Sequence, residues 1–177
     1  MTRLFVALSL PDEVATPLNW IQSGVPGARW QTRDQLHLTL RFIGEADGRE
    51  ADAIDDALSG IAAPGFSLQL KGVGEFGGKR PHSLWAGIDQ NEALLHLQRK
   101  IETALQRVGR PADKHKFTPH ITLARLKGAQ QGRVMDWLTD HALFASIPFP
   151  VHAFILYSSL LTSDGSIYRA EKAYRLR

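Results

Sequence analysis

Hydrophobic residues along this chain keep two rhythms: alternation or short unbroken runs in some stretches, and recurrence every three or four positions in others. The run LFVALSL at 4–10 reads as a strand. Val14, Leu18 and Ile21 follow at helical spacing, with Pro11 suited to the helix start and Pro17 expected to kink it. Residues 36–43 read as a strand whose Leu36, Leu38, Leu40 and Phe42 share the core-facing side. A helix over about 49–61 places Ile54, Ala57, Leu58 and Ile61 on one face, and FSLQLKGV at 66–73 alternates like a half-buried strand.

The same order then returns. SLWAGI at 83–88 is a strand, and Asn91 can cap a long helix carrying Leu94, Leu97, Ile101, Leu105 and Val108. A strand at about 117–126, a helix within 131–143 and strands at 149–161 and 167–175 complete the pattern. His120 follows His37 by 83 positions, Phe149 follows Phe66 by 83, and Ser83 follows Leu4 by 79. A unit this long, present only twice, is an internal duplication rather than a solenoid, with halves of approximately 1–80 and 81–177. The pattern predicts a bilobal α+β domain with pseudo-two-fold symmetry and interleaved lobes. No low-complexity linker divides the halves, so residues 1–177 are expected to fold as one unit.

Composition narrows the class without naming a chemistry. The 177 residues (19.6 kDa) are 44% hydrophobic and 22% charged, as in ordinary globular proteins. A formal charge of +3 suits a polyanionic partner without demanding one. The absence of cysteine excludes disulfides, thiolate nucleophiles and Cys-type zinc sites. The apolar run near the N-terminus is short and is followed at once by acidic residues, so it reads as a strand and not as a signal sequence. No run reaches membrane-spanning length; a cytoplasmic monomer without membrane association is the expectation.

Within the duplicated frame, LHLTLRFIG (36–44) is echoed by PHITLARL (119–126). On a strand, residues two apart share a face, so His37 projects with Thr39, and His120 with Thr122. Facing lobes would bring two imidazoles and two hydroxyls into one cleft. Imidazoles titrate near neutrality and can serve as general base and general acid across one reacting atom, while hydroxyls hold the non-bridging oxygens of a phosphate. One His-x-Thr carries almost no information; two at equivalent positions point to an in-line displacement at phosphorus. Zinc is the competing use of two histidines, but neither strand supplies a carboxylate or third histidine at ligand spacing, so no metal is expected. His82 and His115 could contribute in principle; with His96, His141 and His152 they read as surface or structural residues.

With these motifs in their contexts, including RLFVALSLP, RPHSLWAGI and LYSSLLTSDGSIY, the chain resembles the two-histidine (2H) phosphoesterase superfamily, and within it the RNA 2′,3′-cyclic phosphodiesterases also called 2′-5′ RNA ligases. The resemblance implies two antiparallel-rich sheets around a central groove with helices outside. It implies no cofactor, and as partners RNA ends or nucleoside 2′,3′-cyclic phosphates, opened to a 2′-phosphate. It further implies that His37 and His120 are the acid–base pair, with His120 activating water and His37 protonating the O3′ leaving group. Such an enzyme also forms a 2′-5′ linkage, reversibly. Thr39, Thr122 and Arg125 would bind phosphate, and Tyr168 would lie near the groove.

Strand parity conflicts with one of these assignments. Counting from His120, Arg125 falls on the opposite face unless a bulge or the strand end turns it, whereas Arg41 has the parity of His37 and is the alternative cation. By the same count Phe42 belongs to the core. Trp30, Trp85, Phe76 and Tyr168 remain candidate platforms for a base, and the basic stretches at 77–82 and 107–116 could steer RNA. Two other readings stay open: a phosphodiesterase acting on another cyclic or 2′-5′ phosphodiester, and a non-catalytic RNA-end-binding module.

Overall fold

The computed structural model describes all residues from Met1 to Arg177. The opening apolar run forms β1 (Thr2–Ser9), with Leu4 through Leu8 all buried, as suits a strand covered on both faces. After it come α1 (Asp12–Trp20), β2 (Ala28–Trp30), a 3-10 turn at Arg33–Gln35 and β3 (His37–Ala46). Pro17 sits inside α1 without ending it. The remainder of the first half is α2 (Gly48–Ser59), β4 (Phe66–Leu68) and β5 (Leu70–Phe76). The second half holds β6 (Ser83–Ile88), α3 (Glu92–Arg107), β7 (His120–Leu126), α4 (Gln131–Asp140), β8 (Phe149–Val151), β9 (Ala153–Thr162) and β10 (Gly165–Arg175).

Local chemistry accounts for the boundaries. The Asp47 carboxylate accepts from the Glu50 amide at 2.8 Å, and Glu50 accepts in return from the Asp47 amide, a capping box that starts α2. Asn91 accepts from the Leu94 amide at 3.0 Å and starts α3, which buries Leu94, Leu97, Ile101 and Leu105. Val108 falls at the end of α3 and stays near the surface. The strands expected at 66–73 and 149–161 each divide, at Gln69 and His152, because their two parts pair with different partners. The three-residue β2 is too short to leave a period in the sequence.

The strands form two four-stranded antiparallel sheets, ordered β10-β9-β1-β3 and β2-β7-β6-β5, and a small β4-β8 ribbon. The duplication is visible in the inner strands: β9-β1-β3 in one sheet corresponds to β5-β6-β7 in the other. The first half therefore lends β2 and β5 to the second half's sheet and receives β9 and β10 in its own, so the sheets do not coincide with residues 1–80 and 81–177. One cluster of 37 buried hydrophobic residues draws on both sheets. No helix is long and apolar enough to cross a membrane.

Candidate active site

β3 and β7 carry the two His-x-Thr motifs, and their first seven residues have the same burial order. Leu38, Leu40 and Arg41 are buried in β3, and Ile121, Leu123 and Ala124 in β7. In each strand two consecutive residues point inward. The register shows why. Val6 pairs with Arg41 and Ala7 with Thr39, which leaves Leu40 over; Leu84 pairs with Ala124 and Trp85 with Thr122, which leaves Leu123 over. Each motif thus ends in a β-bulge, and alternation reverses beyond it.

Two expectations are corrected by this. Phe42 is not core: its side chain is 61% exposed and lines the cleft. Arg41 borders the cleft but is only 7% exposed, with its guanidinium engaged by Glu102 and by the Phe42 and Pro111 carbonyls. Arg125, turned outward by the β7 bulge, lines the cleft and forms no ion pair. At the positions after the matching bulges, one strand offers a cation and the other an aromatic ring.

The cleft has a volume of about 240 Å³ and gathers His37, Thr39 and Tyr168 from one sheet with His120, Thr122 and Arg125 from the other. His37 Nδ1 lies 2.8 Å from the Gln35 carbonyl oxygen, and His120 Nδ1 lies 2.6 Å from that of Thr118. A carbonyl can only accept, so Nδ1 carries hydrogen in both rings and the Nε2 lone pair is left for other use. In His37 that lone pair accepts from the Thr39 hydroxyl at 2.8 Å. An aromatic ring stands edge-on to each imidazole: Tyr168 to His37 at 5.1 Å and 88°, Phe76 to His120 at 5.0 Å and 84°. Below them lie Phe5 at 5.0 Å and Trp85 at 6.0 Å. Trp85 fits because Gly74 faces it; a Cβ there would stand 2.2 Å from the indole.

Burial is the main cause that pushes the His37 pKa down to about 4; the Gln35 carbonyl opposes it, and Arg125 and His120 add to it. His120 is lowered in the same way, first by burial and then by Arg125, against the Thr118 carbonyl. Both rings are neutral in the empty cleft at neutral pH. The lowered His37 value has a consequence for folding. The unfolded chain takes up a proton below pH 6.5 that folded His37 refuses until about pH 4, so stability falls as pH falls through that window. For a half-buried ring the loss is on the order of 2 kcal/mol. Urea unfolding at stepped pH should show it, and His37→Gln should flatten the slope; an equal slope in the variant would refute the assignment.

Several cleft residues were not foreseen as such. Gln35 matters through its backbone as well as its side chain, which donates to the Ser166 carbonyl at 2.9 Å and accepts from the Thr32 amide at 3.0 Å. Lys116, Phe117 and Thr118 line the cleft, as does His82, which is exposed and packs against Phe76 at 6.4 Å. Of the aromatic candidates, Phe76 and Tyr168 reach the cleft; Trp30 packs against the core and Trp137. His115 is exposed and does not join the lining.

Comparison with known proteins agrees with this geometry. Residues 10–161 match the family model described as the 2′-5′ RNA ligase superfamily. An RNA 2′,3′-cyclic phosphodiesterase of Thermotoga maritima is 32% identical over 94% of this chain and 91% of its own length. One of Archaeoglobus fulgidus is 30% identical over 94% and 96%. The crystal structure of E. coli LigT complexed with 3′-AMP superposes with a TM-score of 0.84 at 29% identity, covering 99% of this chain and 98% of that one. Duplicated motifs, paired bulges and near full-length similarity converge: the chain belongs to the 2′-5′ RNA ligase superfamily.

Proposed function

We propose that this protein hydrolyses RNA and nucleoside 2′,3′-cyclic phosphates to 2′-phosphates by acid–base catalysis between His37 and His120, without a metal or organic cofactor. The observation that carries the reading is the pair of imidazoles lining one cleft, each tied at Nδ1 to a carbonyl and each left with Nε2 for proton transfer.

The cyclic phosphate sits between the two rings, with its non-bridging oxygens on the Thr39 and Thr122 hydroxyls and the Arg125 guanidinium. For Thr39, engaging the phosphate means releasing its bond to His37 Nε2. We place the nucleoside and its leaving O3′ on the His37 side, where Phe42 and Tyr168 offer apolar surface. Water then approaches from the His120 side. His120 Nε2 takes the water proton as the new O–P bond forms, the P–O3′ bond breaks, and protonated His37 returns a proton to O3′. Burial and Arg125 keep both rings neutral in the empty site, and the negative phosphate offsets them, so the proton His37 gives is taken up with the substrate. A ribose 5′-hydroxyl in the place of water gives a 2′-5′ linkage by the same step.

The test is turnover of a nucleoside 2′,3′-cyclic phosphate in excess EDTA, with the product isomer identified by NMR. The expected result is undiminished conversion to the 2′-phosphate. Loss of activity on chelation, restored by a divalent metal, would overturn the cofactor-free mechanism. A panel including ADP-ribose 1″,2″-cyclic phosphate and 2′-5′ oligonucleotides would reveal a different preferred diester.

A further inference from the structure

The two imidazoles need the same support and receive it differently. Each is oriented by the carbonyl two residues before it. On the β3 side that carbonyl belongs to Gln35, whose side chain ties its turn to Thr32 and to Ser166 of β10. On the β7 side it belongs to Thr118, at the end of an irregular stretch from Val108 to Pro119. This loop is tied down at its first residues by Arg110, which reaches the Glu45 carbonyl and the Glu50 carboxylate, and its Phe117 packs against the core. Its last hydrogen bonds to the rest of the protein before β7 are made at Pro111 and Asp113, and both involve one ion pair.

That pair is Arg41 and Glu102. Arg41 Nε donates to Glu102 Oε2 at 2.5 Å and Nη2 donates to Oε1 at 3.3 Å. Two of its three remaining hydrogens go to the Phe42 and Pro111 carbonyls, and Glu102 Oε1 also accepts from the Asp113 amide at 3.1 Å. One buried guanidinium therefore grips the bulge of β3, the middle of α3 and the loop leading to β7. The corresponding position in β7 is Ala124, so the link runs in one direction, from the first motif to the second. A buried ion pair contributes little net stability over apolar residues of similar volume, which makes geometry the better reason for having one here.

We propose that Arg41 is a positioning residue: paired with Glu102, it holds the 108–119 loop so that the Thr118 carbonyl keeps His120 in its Nδ1-protonated tautomer with Nε2 facing the cleft. The proposal rests on the acid–base reading for its effect on rate, but its structural content can be read without turnover.

The deciding variant is Arg41→Met combined with Glu102→Met, which removes the link without leaving a buried charge unpaired. The ¹⁵N resonances of the His120 ring are expected to move from a single Nδ1-protonated form towards a mixture of tautomers, while those of His37 stay in place. With a nucleoside 2′,3′-cyclic phosphate, kcat should fall about tenfold or more, since misplacing a proton-transfer group affects the chemical step. Arg41→Lys, which keeps the charge but lacks the planar fork that spans Glu102 and both carbonyls, should fall between the two. An unchanged His120 spectrum in the double variant overturns the proposal whatever the rate does. Absence of turnover in the unaltered protein would defeat the catalytic reading instead, and the spectrum would still decide the role of Arg41.

Discussion

Replacing either His37 or His120 with Ala is expected to lower kcat on a nucleoside 2′,3′-cyclic phosphate by about a hundred- to ten-thousandfold, the usual range for a positioned general acid or base. In the proposed mechanism the two rings act on opposite sides of one phosphorus, so the effects should not multiply. Once one proton transfer is lost, the concerted path is closed, and the double variant should lie within about tenfold of the worse single one. KM should change less, because Thr39, Thr122 and Arg125 remain to hold the phosphate. His37 also packs against Phe5 and Tyr168, so its variant needs a circular dichroism and melting control. His120 is less enclosed and gives the cleaner measurement. If either single variant keeps more than about a tenth of the original kcat in a folded protein, that ring is not a proton-transfer group.

Much of this site was legible before the structure because it is written twice. His37 with Thr39 and His120 with Thr122 follow from the two-residue period of a strand and from the 83-residue offset. The helices were legible for a related reason: Asn91 is a capping residue in front of one clear apolar stripe, and Ile54, Ala57, Leu58 and Ile61 mark another. What escaped was whatever depends on a broken period. Parity placed Phe42 in the core and Arg41 in the cleft, and the bulge at Leu40 exchanges them. Backbone groups escaped for a different reason. Gln35 and Thr118 orient the imidazoles through carbonyls, and any residue type supplies a carbonyl, so no side-chain pattern marks them. Which strands cross between the halves escaped too, since pairing between β5 and β6 or β9 and β1 leaves no local periodic signal.

The bulge in β7 leads to the second large effect. Because the register shift after Thr122 turns Arg125 into the cleft, Arg125→Ala should lower kcat/KM by about a hundred- to a thousandfold, as for loss of one preorganised donor to a developing phosphate charge. Arg125→Lys should recover only part of this, because an ammonium keeps the charge but not the two-pronged geometry that grips two phosphate oxygens. Inhibition by inorganic phosphate should weaken in both variants in the same order. A second readout follows from the empty site. Arg125 helps to hold both imidazoles in the neutral form, so its removal should raise the pKa of His37 and of His120, observable by NMR titration without substrate. Both shifts have the same sign because one cation faces both rings. Were Arg125 instead a solvated surface charge, neither titration nor phosphate inhibition would move. An unmoved pair of titrations beside a lowered kcat/KM would place the loss in the fold of β7 and not in the field of the guanidinium.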